Sequence, residues 1–271
     1  MKQAFQTSAG KLLLAAITVI FILSSCDKND DYNEPKPPVN PAPQSTVVNA
    51  SGDLTNALTQ FRSLLGDVLN STPNQTSGRR EINWDGVPAN FTNANNFPFD
   101  FFNSTDPAVA AGRKRGLVYN NTGTSFRVDS TDFSDLDASY ANQFEAFSGK
   151  RTFAYMANNV SIISFKVAGI NTDAFVKGFG LVFSDIDNAN STTLEFFSGS
   201  KSLGVFKAPV KGAANSFSFL GVHFPNDNIT SVKITAGNGI LGAGLKDISD
   251  GGAKDLVVMD DFFYSEPLAN Q

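Results

Sequence analysis

A succession of short aromatic or β-branched runs constrains this chain more than any other feature. "RTFAY", "SIISFKVAG", "GFGLVFSD", "TTLEFFS", "SLGVFK", "NSFSFLGVHF", "ITSVKITAG" and "DLVVMDDFFYS" each have strand length and are separated by Gly, Asn, Asp and Ser. Some alternate cleanly. Ile163, Phe165 and Val167 fall to one side with Ser164 and Lys166 to the other, and Val232 and Ile234 alternate with Ser231, Lys233 and Thr235. Such a strand has one dry face and one wet face. Many of these runs without intervening helical periods predict a mainly β fold, an antiparallel two-sheet sandwich of jelly-roll type, rather than a parallel α/β sheet. With 41% hydrophobic residues among 271, and 25 Phe and 22 Gly, the chain can bury one sizeable core.

One helix is expected before the strands, over residues 53–69. In "DLTNALTQFRSLLGDVLN", Leu54, Leu58, Phe61, Leu65 and Val68 recur at three- and four-residue steps, with Ala57 and Leu64 beside them and Asp53 placed to cap the first turn. This stripe predicts packing on the chain's own domain, which is taken to run from 51 to 271.

The N-terminus points to export. Lys2 and Lys11 precede "LLLAAITVIFIL", an apolar run with the length of a signal-peptide core and too short to span a bilayer. It ends in "LSSC", which resembles the bacterial lipobox, and that resemblance implies lipidation of Cys26 after removal of residues 1–25. Cys26 is the only cysteine, so neither a disulfide nor a thiol nucleophile is expected in the body. Acyl chains there would anchor the protein to a membrane without inserting it. The stretch 26–50, acidic and then Pro-rich, is expected to form an extended tether. "CDKNDD" is similar to the export signal of surface lipoproteins in Bacteroidetes-type bacteria, which implies the outer face of an outer membrane.

"GRREINWDGVP" (78–88), "GFGLVFSDIDNANSTTLEFFS" (178–198), "SFLGVHF" (218–224) and "DLVVMDDFFYSEP" (255–267) resemble blocks that recur in a family of exported bacterial β-sandwich proteins. The resemblance covers most of residues 60–267, and the family carries no assigned activity to transfer. At fold level the chain is also similar to jelly-roll carbohydrate-binding modules, an analogy that does not dictate function.

Two adjacent aspartates stand inside the last apolar run. In a regular strand neighbours point to opposite faces, so Asp261 is expected beside Met259 and Phe263, and Asp260 beside Val258, Phe262 and Tyr264. One of them must then meet a cation, a guanidinium such as Arg79 or Arg80, or several backbone donors. A second acidic segment, "DIDNANST", supplies Asp185 and Asp187, and "KDISDGGAKD" supplies Asp247, Asp250 and Asp255. Asp185, Asp187, Asp260 and Asp261 are therefore candidate ligands for Ca²⁺, which takes several oxygens in a flexible shell. The alternative is that these are capped, solvated acidic turns. The spacing is not that of an EF-hand.

"REINWDGVP" carries the only tryptophan. Trp84 could stack on a sugar ring while Asn83 and Asp85 take its hydroxyls. Alternatively Trp84 closes the core and Arg80 pairs with Asp260 or Asp261. The single histidine, His223, and the absence of G-x-S-x-G and H-E-x-x-H motifs give no direction towards catalysis or zinc. A glycoside hydrolase would need two carboxylates, for which Glu81, Asp85, Glu195, Asp260 and Asp261 are available. Net charge is −5 and no basic cluster exceeds "GRKR", so nucleic acid is not an expected partner. The chain thus reads as a lipid-anchored surface module for extracellular glycan, with a structural or adhesive protein or a hydrolase as alternatives.

Overall fold

A computed structural model describes residues 42–120, 125–213 and 216–270. The signal segment, Cys26 and most of the expected tether lie outside the described residues. The body is mainly β and consists of two antiparallel sheets and one long helix, a two-sheet sandwich as expected.

The first sheet runs in the order β1 (Thr46–Ser51), β11 (Phe217–His223), β8 (Gly178–Ser184), β13 (Val258–Ser265), β5 (Thr152–Tyr155), β4 (Phe126–Asp129), with β2 (Arg79–Ile82) also paired to β13. The second runs β10 (Lys201–Lys207), β9 (Thr193–Ser198), β12 (Ser231–Thr235), β6 (Val160–Lys166), β7 (Asp173–Phe175), β14 (Leu268–Ala269), with β3 (Leu117–Tyr119) on β6. Between them lies an aromatic core that includes Trp84, Phe126, Phe153, Phe165, Phe179, Phe196 and Phe262.

The two sheets differ in their outer faces. β6 and β12 of the second sheet bury alternate residues, with Ile163, Phe165, Val232 and Ile234 inward and Ser164, Lys166, Ser231 and Lys233 outward, as their patterns predict. In the first sheet every residue of β8 and β13 is buried. Its outside is covered by α1 (Thr55–Leu65) and by a second apolar cluster around Phe133, Tyr140 and Phe144. Helix α1 lays Leu58, Phe61 and Leu65 on Val182, Phe219 and Phe263. The Phe61 ring needs a recess in the sheet surface. Gly180 and Gly221 lie directly opposite each other across β8 and β11, and a Cβ on either would stand within 2.9 Å of that ring. Two facing glycines make the seat that fixes the helix.

The helix is shorter than its apolar stripe suggests. It ends at Leu65 before Gly66, whose φ of 124° leaves the helical region, so Val68 is exposed rather than part of the buried stripe. Asp53 Oδ1 accepts the Thr55 N–H at 3.0 Å. The first strand also falls earlier than the expected start of the domain at 51. Residues 46–51 pair with β11 over six positions and bury Val48, so 46–50 belong to the first sheet and not to a tether. "TVVNAS" is an edge strand whose apolar content is too low to stand out from the polar segment before it.

Candidate functional site

The tryptophan segment resolves first. Trp84 is fully buried, stacked on Phe153 (centroids 4.2 Å apart, planes 6° apart) and edge-on to Phe97, Phe102 and Phe262. It closes the core, so it cannot offer a face to a sugar. Asp85 is also engaged: its Oδ1 accepts the Lys150 N–H at 2.8 Å. Gly149, at φ 61°, passes so close to the Asp85 carboxylate that a Cβ would collide with it. Asp85 therefore anchors the 149–150 turn. Asn83 is exposed but belongs to no described groove. Arg80 pairs with neither Asp260 nor Asp261. Its Nη2 donates to Glu266 Oε1 at 2.7 Å and to the Thr72 carbonyl at 2.9 Å, with both charged side chains buried.

Strand β13 answers why two aspartates adjoin in a buried strand. Met259 pairs with Phe183, but Phe262 pairs with Leu181, so Asp260 and Asp261 together oppose the single residue Val182. This is a β-bulge, and the extra residue breaks the alternation. Met259, Phe262 and Tyr264 all join the core between the sheets, leaving both carboxylates on the outer side. The expectation that they face opposite ways is overturned by this one inserted residue.

Neither acid is met by Arg79 or Arg80; Arg79 pairs with Glu81. Backbone N–H groups hold Asp260 and a hydroxyl holds Asp261. Asp260 Oδ2 accepts the N–H groups of Phe147 (2.6 Å) and Ser148 (3.4 Å), and Asp261 Oδ1 accepts the Ser148 hydroxyl at 2.6 Å. Burial, then the adjoining Asp261, pushes the Asp260 carboxyl up to about 9, against the pull of the two N–H groups. Burial also raises Asp261. The pair thus holds a proton near neutral pH.

The raised Asp260 carboxyl makes the stability of the fold depend on pH. Below the ordinary aspartate range both folded and unfolded chains carry the Asp260 proton. Between that range and pH 9 only the folded chain keeps it, so stability falls as pH rises. Asp260→Asn preserves an acceptor for Phe147 and Ser148 and offers an N–H to Asp261. It is expected to raise unfolding free energy by on the order of 2 kcal/mol at pH 8, with the gain shrinking towards pH 4. Chemical denaturation at several pH values measures it, and a gain independent of pH would contradict the shared proton.

The other acids gather elsewhere. One carboxylate oxygen from each of Asp185, Asp187 and Asp247 lies within 4.8 Å of the others, and Asp260 and Asp261 do not join them. Asp185 stands at the end of β8 in left-handed backbone (φ 73°). The Lys211 ammonium is held between Asp185 Oδ1 and Asp187, 3.0 Å from Asp187 Oδ1. Burial pushes the Asp185 carboxyl up to about 6 although Lys211 pulls it down. Asp247 gives its oxygens to Ser249 and to the Leu256 N–H, and Asp255 accepts from Asp187 N, Asn188 N and the Ser191 hydroxyl.

This cluster offers three carboxylates where calcium takes six to eight oxygens, and an ammonium already stands among them. Asp185 Oδ2, buried and without a hydrogen-bond partner, is the atom with capacity to spare. An open groove of about 550 Å³ runs beside it, lined by Gln143, Glu145, Asp185, Lys211, Ser216 and Asp250. Lys211 and Glu145 were not legible as site residues; "APVKGAA" and "NQFEAF" carry no motif, and only the fold brings them to Asp185. His223, at the end of β11, is half-buried, and burial and then Lys177 hold its imidazole below the usual range.

A third region lies on the open sheet. A groove of about 560 Å³ crosses β3, β6 and β7 and is lined by Phe99, Asn120, Ser164, Lys166, Asn171 and Asp173, among others. No protein-family model matches the chain, and no curated protein or solved structure matches it.

Proposed function

We propose that this protein is an exported, lipid-anchored binding module of the outer-membrane surface whose ligand is extracellular glycan. The unequal covering of the two sheets carries the reading. A sheet closed on both faces serves the fold, whereas a sheet with an open, polar, regularly alternating face offers a platform on which an extended polar chain can lie. The signal-like N-terminus, the lipobox at Cys26 and the polar stretch after it support display at a surface.

The hydrolase alternative has less support. Glu81 gives its oxygens to Arg62 and Arg79, Glu195 pairs with Lys233, Asp85 anchors Lys150, and Asp260 and Asp261 are buried. Each of the five acids that the sequence offered for such an enzyme is paired, hydrogen-bonded or buried.

Two measurements test the proposal. Cells fed labelled palmitate are expected to incorporate it into the wild-type chain and not into Cys26→Ala, which is released from the membrane fraction. Binding of the full chain to a polysaccharide panel, run with calcium and with chelator, tests the ligand class. Binding lost in chelator, and not restored to an Asp185→Asn variant by calcium, would assign a cation to the cluster of Asp185, Asp187 and Asp247. No binding to any sugar by folded protein would instead favour a structural or adhesive surface role.

A further inference from the structure

We infer that the groove crossing β3, β6 and β7 is the glycan-binding site, with Phe99 as the stacking platform for one neutral sugar ring. This rests on the glycan reading above and replaces the Trp84 site that the core has taken. Phe99 is 54% exposed, and among the described residues it is the only exposed aromatic; the other phenylalanines, the tyrosines and Trp84 are buried or partly buried. Its neighbours in sequence, Phe97, Phe101 and Phe102, pack together in the core, so Phe99 is turned away from a cluster it is close enough to join. A lone surface aromatic needs no explanation in itself. This one stands on a groove whose other walls are amide, hydroxyl and charged groups.

The groove is built rigidly. The Tyr119 N–H of β3 donates to the Phe99 carbonyl at 2.9 Å, tying the aromatic to the sheet. Asn103, itself buried, joins the two rim loops: its Nδ2 donates to the Ile170 carbonyl at 2.9 Å and its Oδ1 accepts the Gly169 N–H at 2.8 Å. The rim therefore requires little ordering on binding, which favours affinity for a ligand of modest contact area.

The polar walls match a neutral sugar. Ser164 donates to Asn120 Oδ1 at 2.7 Å, which leaves the Asn120 amide nitrogen to donate to a ligand. Lys166 and Asp173 form an ion pair at 2.6 Å, with the Asp173 side chain 80% exposed. One donor head and one acceptor head side by side suit vicinal hydroxyls, which both give and accept hydrogen bonds. With the acids Asp100 and Asp173 beside a single paired lysine, the groove has no surplus positive charge for a uronate or sulfated chain. The apolar C–H face of a pyranose would lie on Phe99 while its edge hydroxyls reach Asn120, Lys166 and Asp173.

The test uses the full chain in a zwitterionic, sugar-free detergent, with dextran, galactomannan and mixed-linkage β-glucan as neutral probes and alginate as the charged one. Affinity electrophoresis and calorimetry are expected to show binding to a neutral probe, weakened roughly tenfold or more by Phe99→Ala and kept by Phe99→Trp. Asp173→Ala should also weaken it, while Val205→Ala, at an exposed site on β10, should not. Neutral-glycan binding that survives Phe99→Ala within twofold, or binding to alginate alone, overturns this site and leaves the glycan reading standing. No binding to any probe by wild-type protein overturns both.

Discussion

Glu266→Ala is expected to lower the unfolding free energy by about 3–5 kcal/mol, because it strands a buried guanidinium. Arg80 and Glu266 are both buried, their side chains 0% and 2% exposed, and meet at 2.7 Å. Glu266 Oε2 also accepts the Asn70 amide at 2.7 Å, and the Glu266 N–H donates to the Gly78 carbonyl. Removing the carboxylate leaves Arg80 Nη2 with only the Thr72 carbonyl, in a site that water does not reach. The cost is that of an uncompensated charge and not the net worth of the pair. Replacing both partners by apolar residues of similar volume, Arg80→Met with Glu266→Leu, should therefore recover most of the loss. Guanidinium denaturation of both variants measures it. A double variant as unstable as Glu266→Ala alone would mean that the bond from Asn70 to Glu266 carries the effect.

Trp84→Ala is expected to cost about 3–5 kcal/mol through the cavity it opens in the aromatic core. The indole is stacked on Phe153 and flanked edge-on by Phe97, Phe102 and Phe262, which come from β5, β13 and the 83–116 connection. Its loss loosens the packing of that long connection, which also sends Val87, Phe97, Phe101 and Phe102 into the core. Its Nε1 makes no hydrogen bond, so Trp84→Phe forfeits volume alone and should cost far less. Because Trp84 is the only tryptophan, wild-type fluorescence reports this site directly. A short-wavelength emission unchanged by any sugar is expected, shifting to long wavelength on unfolding. Circular dichroism then follows the alanine variant, and a loss below about 1 kcal/mol would contradict the packing.

Much of the architecture was legible because periodicity is local. β6 and β12 alternate in sequence and in burial, the stripe from Leu54 to Leu65 lies on the sheet, and the turns fall at Gly, Asn and Asp. The short strands β1, β2, β3 and β7 were not legible, since three to six residues of mixed character gain their order from a partner strand rather than from their own pattern. Residue types indicated that Trp84 would be either core or ligand platform and that the adjacent aspartates needed an answer. Neither question could be closed along the chain.

Tertiary structure closed both, and in each case the deciding contact was distant or irregular. One extra residue in β13 turns Asp260 and Asp261 to the same side, where a period of two predicts opposite sides. The donors that hold them lie at 147 and 148, the partner of Arg80 is 186 positions away, and Lys211 meets Asp185 from beyond the β9–β10 hairpin. Phe97, Phe99 and Phe101 are the same residue at even spacing, yet only the middle one faces solvent. The sequence by itself determined which segments could form sheets and a helix, because hydrophobic alternation repeats at every turn or residue pair. Which charges meet, and which aromatic stays outside, depends on single registers and single insertions that leave no period to read.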